Sequence, residues 1–255
     1  MDALLRWIPW RLRFLFRCAG NLAELSSVAR FLLRADLHLS RRARLRYVRD
    51  IYRVSFNVWC AHTQVEIMAV ATAVLQIPPT DPGVIVEAGC YKGGSTAKLS
   101  LLAKLAARRL IAYDSFEGLP QHDESMQQSI FGDVPNFNSG VYGGTYEEVQ
   151  ENVRRFGDLA SCTLVKGWFD DTMPNHRDPI VAAFVDVDLS TSTKTCVKFL
   201  FPHLRPGASI FSQDGHLPLV IAALDDDHFW KNEVGRSKPR MVGLGASKLV
   251  RIENA

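Results

Sequence analysis

The 255-residue sequence predicts an α/β fold: a mostly parallel, seven-stranded sheet with helices on both faces, an antiparallel hairpin at the C-terminal end and an N-terminal helical cap. Three observations predict it. From Gly83 onward, short apolar runs alternate with stretches of helical periodicity. The runs are near-continuously apolar, as in parallel strands covered on both faces. The closing segment RMVGLGASKLVRIE (240–253) reads as two short strands about a glycine-containing turn.

Each element follows from its pattern. Residues 41–54 repeat apolar side chains at Leu45, Val48, Ile51 and Tyr52 with arginines between them, which is helical spacing. That arginine face suits solvent, or a phosphate. TQVEIMAVATAVLQ (63–76) is a more buried helix, stopped by the prolines and turn of IPPTDPG. GVIVEAG (83–89) is the first strand, 95–107 a helix and RLIAYD (109–114) the second strand. A long polar loop covers 115–145. TYEEVQENVRRFG is a helix, with Thr145 as N-cap and Gly157 just past its end. CTLVKG (162–167) and IVAAFVDVD (180–188) are the third and fourth strands, 191–204 a helix, ASIFSQD (208–214) the fifth strand and 216–230 a helix. The expected division is a cap over 1–76 and a body over 77–255.

Composition narrows the class. The hydrophobic fraction is 47% and the charged fraction 22%, as in an ordinary globular protein. No run of 18 apolar residues exists for a spanning helix. The five cysteines are odd in number, widely spaced and outside any CxxC pair, so a disulfide framework or zinc ribbon is not expected and a reducing, cytoplasmic setting is. The net charge of +3 divides unevenly: residues 1–60 hold 12 Arg, no Lys and 4 acids, for +8, and the remainder carries −5. A mildly acidic body is no nucleic-acid groove. In the leader, Arg6, Arg11, Arg13 and Arg17 alternate with Trp7, Trp10, Phe14 and Phe16. Such a segment, taken as 1–34, suits peripheral contact with a membrane interface, or packing on the body or on a second copy in a homo-oligomer. Arginines interrupt every candidate signal-peptide core.

Chemistry gathers at the strand ends, where ligands of open parallel sheets bind. Glu87–Gly89, Asp114, Gly167–Trp168, Asp186–Asp188 and Gln213–Asp214 fall there. In VEAGCYKGGST, Gly89 and Gly94 have P-loop spacing, but Ser95 stands where a lysine would reach phosphate. The helix start at Gly94 suits a carboxylate instead. Glu87 suits an ammonium, and Asp114 two ribose hydroxyls. An amino acid joined to a nucleoside meets all three demands, and S-adenosylmethionine is that molecule.

With these residues quoted, the body resembles the macrocin-type sugar O-methyltransferases of macrolide and aminocoumarin biosynthesis, of the Rossmann-like class I methyltransferase fold. The matching segments are IVEAGCYKGGST, YDSFEGLP, YEEVQENVRRFG, VKGWFDDTMP, FVDVDLSTST and FPHLRPGASIFSQD, in order over roughly 84–214. The resemblance implies that Glu87, Gly89, Gly94 and Ser95 line the methionine end of the cofactor. It implies that Asp114 holds the ribose, with Ser115 and Phe116 beside the adenine and Gly167 and Trp168 closing that side. It implies magnesium on Asp186 and on a pair of acids after strand five, with Asp188 a candidate base.

The sequence departs from the family at that pair, which falls on Gln213 and Asp214. A glutamine oxygen can ligate magnesium but brings no charge, so weak binding is expected. His216, two residues on, is a second candidate base. The expected reaction moves the methyl of S-adenosylmethionine to a hydroxyl of a small-molecule or glycan acceptor, a sugar by family analogy. Two other readings stand beside it: a binding protein that kept the cofactor pocket without catalysis, and a glycosyltransferase that uses Asp186-Val187-Asp188 as a metal-binding DxD.

Overall fold

The computed structural model describes residues 22–254. Most of the basic leader, with its alternating arginines and aromatics, lies outside the described residues. Among the described residues three helices precede the sheet: α1 (Leu22–Leu33), α2 (Arg41–Asn57) and α3 (Gln64–Gln76). Ser40 caps α2 by accepting the Ala43 amide at 3.3 Å. The arginines of α2 form a largely solvated face, with one exception. Arg41, Arg42, Arg46, Arg49 and Arg53 are exposed, whereas Arg44 is buried. Its Nη1 donates to the Phe31 and Arg34 carbonyls at 2.8 and 2.7 Å. These are carbonyls that the end of α1 leaves without helical partners.

The remaining elements alternate as the sequence predicts: β1 (Val84–Ala88), α4 (Gly94–Leu105), β2 (Leu110–Asp114), α5 (Tyr146–Phe156), β3 (Cys162–Lys166), α6 (Phe169–Thr172), β4 (Ile180–Val185), α7 (Ser190–Leu200), β5 (Leu204–Ser212), α8 (Pro218–Asp225), α9 (Asp227–Phe229), β6 (Met241–Val242) and β7 (Val250–Glu253). They build one seven-stranded sheet in the order β3-β2-β1-β4-β5-β7-β6. The first five strands are parallel, and β7 runs antiparallel to both β5 and β6.

Strand alternation sorts the core into two layers. Ile85, Leu110, Ala112, Phe184 and Phe211 face a layer that includes α1 to α5. Val84, Val86, Ile111, Ala183, Val185 and Ile210 face the other, with α7 and α8. β1 and β4 are buried along their whole length, whereas the edge strand β3 is not. Packing is continuous across Ile77, because α3 lies in the same core cluster as β1 and β4.

Several boundaries differ from the sequence reading. α7 stops at Leu200, ahead of Pro202, and a 3-10 turn over Phe201–His203 follows. β5 begins at Leu204 and ends at Ser212, so Gln213 and Asp214 lie just beyond it. The helix expected over 216–230 is broken at Asp226, whose backbone is extended and whose side chain accepts the His228 amide at 2.8 Å. A residue that caps a new helix start cannot continue the old one. Thr145 does cap α5, accepting the Glu148 amide at 3.1 Å, and Gly157 follows its last residue. Among the described residues no helix is long and apolar enough to cross a membrane.

Candidate active site

The carboxyl ends of β1, β2, β4 and β5 open on a cavity of about 250 Å³. Gly89 ends β1 with φ +87°, and a Cβ there would lie 1.9 Å from the Asp186 carbonyl oxygen. Only glycine lets these two strand ends come so close. The turn is tied to β2 through Asp114: its Oδ2 accepts the Cys90 amide and its Oδ1 the Phe116 amide, both at 2.6 Å. Burial raises the Asp114 pKa, and these amides oppose the rise. Each oxygen keeps a second lone pair for a ligand. At Gly94 the helix α4 begins, with Ser95 in its first turn and both facing the cavity.

Opposite stands a cluster of acids. Carboxylate oxygens of Asp186, Asp188 and Asp214 all lie within 4.8 Å of one another. Asp214 Oδ2 accepts the amides of Val187 and Asp188, each at 3.1 Å, and so holds the turn after β4 in place. Asp188 adopts φ +62°, an uncommon backbone for a residue with a Cβ. Burial pushes all three carboxyls upward, and the charge of Asp214 adds to the rise at Asp186 and Asp188; the Lys248 ammonium opposes it at all three, and the Val187 and Asp188 amides oppose it at Asp214. Three hard oxygen donors this close suit a divalent cation.

The sequence-predicted residues divide. Gly89, Gly94, Ser95, Asp114, Ser115, Trp168, Asp186, Asp188, Asp214 and His216 all line the cavity. Glu87, Phe116, Gly167 and Gln213 do not. Glu87 shares its strand face with Ile85 and is buried; burial pushes its carboxyl up to about 8, against the hydroxyls of Ser95 and Thr96. Phe116 has φ +61° and packs edge-on against Tyr146, with ring centroids 5.1 Å apart. Gly167 donates its amide to the Asp114 carbonyl at 2.9 Å, which sets where Trp168 emerges.

Gln213 is the main departure. It continues the alternation of Phe211, is fully buried away from the cavity, and neither side-chain amide atom has a partner. The third carboxylate of the cluster is therefore Asp188. His216 lies under Phe131, with rings stacked 5.6 Å apart. Burial, with Lys248, lowers its pKa, so the imidazole is neutral near pH 7.

Other cavity residues were not legible: Trp59 and His62 from the turn between α2 and α3, Tyr91 from the glycine turn, Tyr142 from the long loop, and Lys248 before β7. His62 Nε2 lies 2.9 Å from the buried Lys98 ammonium, and burial, with Lys98 and Lys248, keeps the ring neutral. Its neighbour Thr63 opens α3, donating its amide to Glu66. That capping pattern was the one signal near His62 in the sequence.

Comparison with known proteins agrees with this architecture. Residues 63–234 match the macrocin O-methyltransferase (TylF) family. The 8-demethyl-8-(2,3-dimethoxy-α-L-rhamnosyl)-tetracenomycin-C 4′-O-methyltransferase of Streptomyces olivaceus is 30% identical over 168 residues, 62% of this chain and 61% of the relative. The chain thus spans about three fifths of the length of that curated relative. The O-methyltransferase NovP has a TM-score of 0.61 at 22% identity, over 77% of this chain and 83% of NovP. The calicheamicin methyltransferase CalS11 has a TM-score of 0.58 at 17% identity, over 90% of this chain and 92% of CalS11. These likenesses identify the sheet as a Rossmann-like class I methyltransferase fold. The family match runs from the start of α3 through the whole parallel sheet and its strand-end acids, and the chain belongs to the macrocin O-methyltransferase family.

Proposed function

We propose that the chain transfers the methyl group of S-adenosylmethionine to a hydroxyl of a sugar-bearing acceptor, with a divalent cation at the acid cluster. The observation that carries this reading is the meeting, in one cavity, of Asp114 and the start of α4 with the three carboxylates Asp186, Asp188 and Asp214. The curated relative is named for methylation of a rhamnosyl group, which supports a sugar as acceptor.

The residues present fit both groups. Asp114 offers two oxygens for the ribose, and the first turn of α4 has free amides for the methionine carboxylate. The acid cluster fits a cation, because its three carboxyls are destabilised as charges without one. The cluster does not need an acid at Gln213, because the third carboxylate beside Asp186 and Asp214 is that of Asp188.

When bound, S-adenosylmethionine supplies an electrophilic methyl, and the cation lowers the pKa of the acceptor hydroxyl. The chain does the rest. Asp186 and Asp214 hold the site's charge, and the amides of Val187 and Asp188 fix the Asp214 carboxylate. Asp188, whose carboxylate lies within 4.8 Å of those of Asp186 and Asp214, would take the hydroxyl proton as general base. His216, neutral and within the same cavity, is the second group able to receive it. The strand ends would hold the acceptor beside the cofactor and so supply alignment for transfer.

Calorimetry with S-adenosylmethionine, followed by incubation with neutral glycosides and mass detection of a methylated product, tests the reading. Failure to bind S-adenosylmethionine would overturn it. An Asp186→Asn variant should bind the cofactor and lose turnover.

A further inference from the structure

We infer that Tyr142 orients the acceptor sugar, at the centre of an aromatic wall formed by Trp59, Tyr91, Tyr142 and Phe137. The inference rests on the methyl-transfer reading above and names the part of the site that meets the acceptor.

The four rings form a row along the cavity. Trp59 meets Tyr91 edge-to-face at 5.4 Å, Tyr91 meets Tyr142 at 6.0 Å, and Tyr142 meets Phe137 at 6.4 Å. They come from three separate segments: the turn before α3, the glycine turn and the long loop. Trp59 is 58% exposed and Tyr142 is 37% exposed, so neither ring serves mainly as core.

The backbone supports a purpose for the two tyrosines. Tyr91 has φ +46° and Tyr142 has φ +60°. A bulky residue in the left-handed region costs about 1–3 kcal/mol and persists only where its surroundings hold it there. Here close backbone contacts do so. A Cβ on Gly144 would come within 2.0 Å of the Tyr91 carbonyl oxygen, and one on Gly118 within 2.6 Å of the Gly140 oxygen. The loop neck is closed by bonds from the Leu119 amide to the Val141 carbonyl at 3.0 Å and from the Gly140 amide to the Leu119 carbonyl at 2.9 Å. This strained geometry places side chains in the cavity and serves no helix or strand.

The chemistry points to an uncharged, hydroxyl-rich ring. A sugar presents apolar C–H faces to aromatic rings and hydroxyls at its edges. Neither tyrosine hydroxyl has a hydrogen-bond partner among the described residues. Burial, with the charges of Asp188 and Asp186, raises the Tyr142 pKa, so its hydroxyl remains a donor at neutral pH. Tyr142 lines the same cavity as Asp186, Asp188 and Asp214, where the acceptor oxygen must react. Among the described residues the cavity is lined by five aspartates and by Lys248 as its one lysine or arginine, which disfavours an anionic acceptor.

The test uses the full chain with S-adenosylhomocysteine and magnesium. Calorimetry measures the binding of 4-nitrophenyl glycosides of L-rhamnose, D-glucose and D-galactose. At least one should bind the wild type. Tyr142→Phe keeps the ring and removes the donor, and should weaken that glycoside by roughly 5- to 10-fold, the size of one hydrogen bond. Trp59→Ala should weaken it too, and both variants should bind S-adenosylhomocysteine as the wild type does. If the wild type binds S-adenosylhomocysteine but no glycoside, or if Tyr142→Phe binds the glycoside unchanged, the inference is wrong while the methyl-transfer reading stands. If S-adenosylhomocysteine itself does not bind, both fall.

Discussion

The Glu124 carboxylate caps a helix that begins 66 residues after it. One oxygen accepts the Thr191 amide at 2.8 Å and the Thr191 hydroxyl at 2.7 Å; the other accepts the Ser190 amide at 2.9 Å. Leu189, at the cap position of α7, has no side chain for the task. The long loop is thereby fastened to the turn that carries Asp188. Glu124→Ala should cost about 1 kcal/mol, the usual value of an N-cap, and speed hydrogen exchange at Ser190 and Thr191. Glu124→Gln should recover part of the protection. Burial alone would raise the Glu124 pKa, but the Thr191 and Ser190 donors bring it below the usual range. The cap therefore holds at neutral pH and is lost as pH falls through that lowered value. Exchange that is identical in all three proteins would show that the loop is seated by other contacts.

Asp114 has two duties, and substitutions should separate them. Its oxygens hold the amides of Cys90 and Phe116, and the same oxygens face the cavity. A hydrogen bond to a charged group is worth roughly 1.5–3 kcal/mol. Asp114→Ala should therefore lower the melting temperature as well as weaken S-adenosylmethionine by tenfold or more. Asp114→Asn keeps one acceptor oxygen and should weaken the cofactor with a smaller loss of stability. Calorimetry and melting curves on the two variants check this; cofactor affinity unchanged in both would remove Asp114 from the binding site.

The acid cluster should mark the pH profile of stability. Burial, with the charge of Asp214, pushes Asp186 from 3.8 up to about 7. A raised carboxyl favours the fold while protonated. Its contribution is full below the unfolded value near 3.8 and is lost as pH rises through about 7. In chelator, the wild type should lose more thermal stability than Asp186→Asn between these limits. Magnesium should return it, because the cation relieves the repulsion. Parallel melting profiles for wild type and variant, with no magnesium effect, would argue against a cation at this cluster.

Gln213 offers a test of side-chain direction. Its amide is buried without a partner, and an apolar replacement of similar shape removes that cost of about 1–3 kcal/mol. Gln213→Met should leave magnesium affinity unchanged and raise the melting temperature. Were Gln213 a ligand, affinity would fall.

The parallel architecture was legible because each strand is a short apolar run closed by an acid or a glycine, and such runs need few neighbours to be understood. Thr145 and Gly157 could be read for the same local reason. Gln213 and Asp188 were harder. Their spacing puts both near the site, but which one faces the cavity depends on where β5 ends and on a left-handed turn at Asp188. The break at Asp226 rests on a single capping carboxylate that competes with helix continuation over an otherwise apolar run. The aromatic wall was beyond reach, since Trp59, Tyr91 and Tyr142 meet only after three loops are placed by the sheet beneath them.

Tyr91 sits one residue after Cys90, whose amide is bound by Asp114, and its ring leans on both Trp59 and Tyr142. Anything that stills the glycine turn also stills the centre of the aromatic row. A second ligand that needs the same row in order then meets a smaller entropic cost, and the benefit is mutual. If occupancy at Asp114 orders this row, it should tighten the acceptor by the same factor that the acceptor tightens the nucleoside.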